Sequence, residues 1–226
     1  MKKILVVVDM QNDFIDGPLG TPEARAIVDN VCAKIREGEW DRVFYTLDTH
    51  DYDYFDTQEG KKLPIKHCVK CSGGWKLNSK VQDSILACKW ITHINKGTFG
   101  ATELVDDIID YFPRDVCENE SGIELTLIGV CTDICVISNA LLLKAHYPEM
   151  KIVVDAACCA GSSVLKHLEA LDIMASCQID VINQYNYDVE DYFYDQHTSQ
   201  VEKRKLGSLC LDGSNCPMVR KSESED

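Results

Sequence analysis

The sequence predicts an α/β fold: a three-layer α/β/α sandwich around a six-stranded parallel sheet. Short apolar runs without polar alternation recur along the chain, and stretches of helical period separate them. An unbroken apolar run suits a strand buried on both faces, and strict alternation of strand and helix joins parallel neighbours through crossovers. The length of 226 residues, 45% of them hydrophobic, suffices for one large domain with an appendage.

"KILVVV" (3–8) is the first strand, rich in β-branched residues. "TPEARAIVDNVCAKIREG" (21–38) is a helix: Thr21 caps it, Pro22 suits the first helical position and Gly38 ends it. Ala24, Ile27, Val28, Val31 and Ile35 form its apolar face. "RVFYTL" (42–47) is the second strand, "VQDSILAC" (81–88) a helix and "WITHIN" (90–95) the third strand. "ELVDDIIDYF" (103–112) is helical, with Leu104, Val105 and Ile108 on one side. "IELTLIGV" (123–130) is the fourth strand, followed by a helix over 133–147. "KIVVDA" (151–156), a helix over 163–177 and "QIDVI" (178–182) complete the pattern.

Two segments break the rhythm. Residues 48–76 form a connection rich in Asp, His, Tyr and Gly, and connections of such length are commonly functional or disordered. Beyond residue 184 the alternation stops, so the expected domain is 1–184. Residues 185–226 are expected to be an acidic, tyrosine-rich extension ("QYNYDVEDYFYDQ") that packs on the domain or on a neighbouring subunit of a homo-oligomer. Its end, "RKSESED", is expected to be disordered.

A formal net charge of −14 argues against nucleic acid and anionic membrane surfaces as partners, because phosphate contacts need clustered Lys and Arg. The apolar run of "MKKILVVVD" ends at Asp9, too soon for a secretion signal, and no run approaches the ~20 residues of a membrane span. The twelve cysteines are therefore expected to be reduced thiols in a cytoplasmic protein.

In an open parallel sheet, ligands bind outside the carboxyl ends of the strands. Asp9 follows the first strand, Asp48 and His50 the second, Lys96 the third, Cys131 and Cys135 the fourth. Taken singly, each has an ordinary reading as a cap, a loop polar, a surface charge or a packing cysteine. The spacing of Cys131 and Cys135 alone leaves open a metal clip, a disulfide, packing or a nucleophile, with packing the commonest of these. Their convergence on one edge favours chemistry. A thiol becomes nucleophilic on ionising, a helix N-terminus and Lys96 favour the thiolate, and a carboxylate moves the proton. Cys135 sits in a first helical turn, where its N–H and that of Cys131 are candidates for an oxyanion hole.

"VVVDMQNDF" (6–14), "KGTFG" (96–100) and "GVCTDICV" (129–136) resemble, in order, three signatures of the isochorismatase-like cysteine hydrolases, the superfamily that includes nicotinamidases. The resemblance spans residues 1–184. It implies the sandwich fold, a catalytic triad of Asp9, Lys96 and Cys135, and a cis peptide between Val130 and Cys131. For the nicotinamidase branch it implies a divalent metal on Asp48 and His50 of "DTH" and His67 of "PIKHC", with Glu59 as a possible fourth ligand. One carboxylate and two imidazoles suit zinc, or iron or manganese. The implied reaction is hydrolysis of a small carboxamide to acid and ammonia through a thioester, as nicotinamide to nicotinate. The alternative is another small amide, a ureido compound or an enol ether. Phe14 is the candidate wall for a flat substrate. Two departures touch the pocket: Thr49 replaces the aromatic residue of D-W-H, and "HCVKCS" places Cys71 and Ser72 where nicotinamidases read G-T.

Three further features have plainer readings. Cys68 and Cys71 form a lone C-x-x-C, Cys210 and Cys216 lie in the extension, and His93, His146 and His167 are expected to be structural or surface residues.

Overall fold

The computed structural model describes residues 1–111 and 122–184. The extension from 185 onward, with Cys210 and Cys216, lies outside them, as does Phe112. Six strands form the sheet: β1 (Lys2–Val8), β2 (Arg42–Asp48), β3 (Ile91–Lys96), β4 (Ile123–Val130), β5 (Lys151–Ala160) and β6 (Asp180–Ile182). They lie in the order β3-β2-β1-β4-β5-β6, and every neighbouring pair is parallel. The chain runs outward from β1 through β3, then crosses back to place β4 on the other side of β1. Between β1 and β4 lies the topological switch point, where a crevice opens at the carboxyl ends.

The helices are α1 (Asn12–Ile15), α2 (Pro22–Ala26), α3 (Val28–Glu37), α4 (Gln58–Lys62), α5 (Ser79–Leu86), α6 (Thr102–Tyr111), α7 (Ile137–His146) and α8 (Val164–Ser176). They cover both faces of the sheet, which is why the strands read as unbroken apolar runs. In β1, Ile4, Val6 and Val8 enter a core with Leu104, Ile108, Leu143 and Leu171. Leu5 and Val7 enter the opposite core with Val31, Ile35, Val81 and Ile85. Among the described residues no helix is long and apolar enough to cross a membrane.

Three details differ from expectation. The helix over 21–38 is two, α2 and α3, separated by Ile27, whose backbone stays in the right-handed region. Thr21 does cap it, accepting a 3.0 Å bond from Ala24 N. The helix over 133–147 begins with a π-helical turn, Thr132–Val136, before α7. Finally, β5 runs to Ala160, because small apolar Cys159 and Ala160 continue the pairing past Ala156, opposite Gly129 and Val130. Gly129 has φ +124° beside Val8, and a Cβ there would overlap the Val8 backbone. Glycine thus lets β4 press against β1 at the switch point.

Candidate active site

The end of β1 supplies Asp9, which adopts φ 50° and turns the chain out of the sheet. Lys96 closes β3, and Cys135 sits in the π-helical turn after β4. All three side chains are buried at the switch point. Lys96 Nζ lies 2.6 Å from Asp9 Oδ2 and donates to Cys135 Sγ at 3.5 Å. It also donates to Thr98 O at 3.2 Å and stands 3.6 Å from Asp48 Oδ1. Thr46 Oγ1 donates to Asp9 Oδ1 at 2.7 Å, so the two carboxylate oxygens face different partners, Oδ1 the hydroxyl and Oδ2 the Lys96 ammonium.

Burial pushes the Asp9 carboxyl above its ordinary range against the pull of Lys96, and Asp48 adds to the rise. Burial disfavours the Lys96 ammonium, but Asp9 and Asp48 outweigh it and hold the cation. Burial also raises the Cys135 thiol well above 9.0, with Asp9 adding to the effect and Lys96 opposing it. Burial and Asp9 thus pull Cys135 toward the thiol, and Lys96 pulls it toward the thiolate.

The turn carrying Cys135 has the shape the sequence suggested. The Val130–Cys131 peptide is cis. The Cys131 carbonyl accepts from Ile134 N (3.1 Å) and Val136 N (3.0 Å), passing over the Cys135 amide between them. A π-helical turn commonly marks a functional site, here by freeing an amide that an α-helix would spend.

Beside the triad, Asp48, His50 and His67 bring one donor atom each to within 4.8 Å of one another. Asp48 Oδ2 is 3.0 Å from His50 Nε2 and 3.4 Å from His67 Nε2. Glu59 Oε1 reaches the same place, 3.6 Å and 3.7 Å from those two nitrogens. Donors held ~2.1 Å from a tetrahedral ion stand ~3.4 Å apart, so this set fits a zinc-sized cation. His50 Nε2 is buried and faces the Asp48 and Glu59 carboxylates. His67 Nδ1 is bonded to Ile65 O at 2.8 Å, which turns its Nε2 lone pair inward. Burial would raise the Asp48 carboxyl, but both imidazoles and Lys96 hold it well below its usual range, as an anion.

The 48–76 connection is folded by this cluster. His50 pairs with Val69, through His50 N to Cys68 O (3.0 Å) and Lys70 N to His50 O (2.9 Å). Cys68 N donates to Asp13 Oδ2 at 2.8 Å. Cys68 is buried and Cys71 exposed, so the C-x-x-C acts as loop structure. Phe14 is nearly buried, its ring 5.6 Å from that of His67.

Several contributors were not singled out from sequence. Gln11 is fully buried; its side chain grips Asp48 through Nε2 to O and Oε1 from N, both 2.8 Å, and donates to Trp75 O. Tyr54 lies under both imidazoles, 4.7 Å from His50 and 5.1 Å from His67, with its hydroxyl donating to Leu63 O. The Tyr-rich "DYDYF" was the available signal. Trp75 Nε1 donates to Thr49 Oγ1 at 2.9 Å, so an aromatic ring does meet position 49, from another part of the loop.

His167, read as structural or surface, is buried and shares a 2.8 Å hydrogen bond with Thr132 Oγ1 in the nucleophile turn. Burial pushes this imidazole down to about 4 from 6.5, with Asp133 opposing. The unfolded chain therefore takes up the proton first as pH falls. This contribution is intact above pH 6.5 and lost as pH drops through 4, by roughly 3 kcal/mol in all. His167→Gln is expected to flatten that part of the melting-temperature profile. An unchanged slope between about pH 7 and 4.5 would reassign the acid sensitivity.

A model of the isochorismatase domain matches residues 3–184. The chain belongs to the isochorismatase family. The nicotinamidase of Saccharomyces cerevisiae is 28% identical over 174 residues, covering 62% of this chain and 80% of that protein. The crystal structure of nicotinamidase/pyrazinamidase from Bacillus subtilis superposes with a TM-score of 0.61 at 26% identity, covering 80% of this chain and 99% of that one. The Pyrococcus horikoshii pyrazinamidase, solved in complex with zinc, shares the fold, with a TM-score of 0.62 at 23% identity over 80% of this chain and 99% of that one. Within the family the chain is thus nicotinamidase-like.

Proposed function

We propose that this protein hydrolyses a small carboxamide, nicotinamide or a close analogue, to its acid and ammonia, using Cys135 as nucleophile. The family and its nicotinamidase relatives make the chain a hydrolase of amide C–N bonds. The observation that carries the residue assignment is the buried contact of Lys96 with both Asp9 (2.6 Å) and Cys135 (3.5 Å) at the switch point.

Asp9 takes the Cys135 proton as sulfur attacks the carbonyl carbon. The oxygen gains the negative charge and is met by the N–H groups of Cys131 and Cys135. As the C–N bond breaks, Asp9 returns the proton to nitrogen and ammonia leaves. Water, deprotonated in turn by Asp9, hydrolyses the thioester and restores the thiol. Lys96 keeps its charge throughout and balances whichever of Asp9 or Cys135 is anionic. Asp48, His50 and His67, with Glu59 beside them, would hold a divalent metal, which supplies Lewis acidity and a fixed point for a ring nitrogen or a water. Phe14, against His67, would bound the pocket on one flat side. A reduced, cytoplasmic setting suits a mechanism that depends on a free, oxidisable thiol, and the described cysteines are all free.

The test is ammonia release across nicotinamide, pyrazinamide, aliphatic amides and ureido compounds, with and without chelator. Release from an aromatic carboxamide is expected to dominate. No ammonia from any carboxamide by metal-replete protein would sink the reading.

A further inference from the structure

Asn139 lies one helical turn after Cys135, where the i+4 position meets the nucleophile's own backbone. It is fully buried in a helix that is otherwise mostly apolar, and every polar atom of its amide is used. Its Nδ2 donates to the Cys135 carbonyl at 2.7 Å and to the Phe99 carbonyl at 3.3 Å. Its Oδ1 accepts from Ala101 N at 2.9 Å. One side chain thus ties the backbone of the nucleophile to the loop that follows Lys96.

That loop is "GTFGA" (97–101), with glycines at 97 and 100. Such a segment has little conformational preference of its own and needs an external anchor to hold one shape. Its shape matters because Lys96 Nζ is held between Thr98 O (3.2 Å) and Cys135 Sγ (3.5 Å). A shift of the loop relative to α7 would change where the ammonium sits against the sulfur.

We infer that Asn139 is a positioning residue, which sets the spacing of Lys96 and Cys135 by clamping Phe99 and Ala101 to the Cys135 backbone. The inference rests on Cys135 being the nucleophile. It touches neither substrate nor the reacting atoms, so its effect falls on the rate of the bond-making step and leaves ground-state binding alone.

The experiment compares Asn139→Leu, which fills the volume without hydrogen bonds, Asn139→Ala, and Asn139→Thr. A threonine hydroxyl can donate to the i−4 carbonyl and so keeps the tie to the Cys135 backbone. Ammonia release gives kcat and KM. Mass spectrometry of the Cys135 peptide after brief iodoacetamide treatment gives a rate that needs no substrate. With Leu or Ala, kcat is expected to fall about 10- to 100-fold, the scale of a misplacement of order 1 Å, with KM within about threefold. Alkylation of Cys135 is expected to slow in parallel, and Thr is expected to recover part of both. Should the Leu variant not fold, the Ala and Thr pair reads the same contrast. Wild-type kcat and alkylation in folded Ala protein, or a loss confined to KM, would overturn the inference. A Cys135→Ala control separates the two failures: if it still turns over, the nucleophile assignment falls first.

Discussion

Cys135→Ala is expected to lower ammonia release by roughly four orders of magnitude or more, to background, while the protein stays folded. The change is small in volume, and Cys135 lies in a wall of the core, so the melting temperature should move by only a few degrees. The triad's other members make poorer tests. Asp9→Ala leaves Lys96, which is 1% exposed, as a buried cation without its closest partner. Breaking such a pair from one side costs about 3–5 kcal/mol, so lost activity would be confounded with lost structure. The sulfur deletion is free of that problem. Cys131→Ala is its internal control, because only the Cys131 backbone is assigned a role, and it should keep activity to within about threefold. Turnover in folded Cys135→Ala protein would end the covalent mechanism. A dead Cys131→Ala would mean that its side chain, and not its amide alone, enters the chemistry.

The sheet and its reactive edge were legible because both depend on local signals. β1 and β4 are apolar at their buried positions with the exception of Thr126, and each leads directly into a residue that carries chemistry or into its turn. Asp9, Asp48, Lys96 and Cys135 could be placed on one edge from strand ends alone. The supporting residues were not legible, because their meaning is set by long-range contacts. Gln11 looks like any polar residue after a strand until Asp48 and Trp75 arrive, 37 and 64 positions away. Asn139 reads as an unfavourable choice in an apolar helix until Phe99 and Ala101 are seen against it. His167 sits on a regular helical face, and Thr132, with which it shares a hydrogen bond, is 35 residues away. The opposing pulls on Cys135 were also beyond the sequence: a lysine and a helix start argue for thiolate, while the burial and the nearby Asp9 that work against it emerge only in the fold. The end of β5 was missed for a simpler reason: "ACCA" lacks the β-branched residues that mark strands, and its small side chains are what the crowded switch point admits.

Removing the metal-ligand set is expected to have the second-largest effect. His67→Ala should abolish stoichiometric zinc, manganese or iron binding and lower turnover by at least about 100-fold, beyond the ~10–100-fold typical of losing an outer-shell partner. The physical reason lies in how the set is buried. Asp48 is an anion at 5% exposure, with His50 at 7% and His67 at 3%. Lys96 Nζ at 3.6 Å from Asp48 offsets part of that charge, and a divalent cation among the donors would offset the rest. Binding should therefore stabilise the fold, by about 2.7 kcal/mol when free metal is a hundred times its Kd. Chelation should lower the melting temperature reversibly in the parent and leave His67→Ala unmoved. The sign with pH follows from the ligands: imidazole nitrogens must be unprotonated to bind, so metal affinity and its share of stability should weaken as pH falls through the histidine range. Glu59→Gln distinguishes a four-ligand from a three-ligand site. Glu59 is 22% exposed and its Oε1 is the farthest donor, so its loss should weaken metal affinity without abolishing binding. Parent protein that purifies without metal, together with full turnover in His67→Ala, would remove the metal from the mechanism and leave Asp9, Lys96 and Cys135 to act alone.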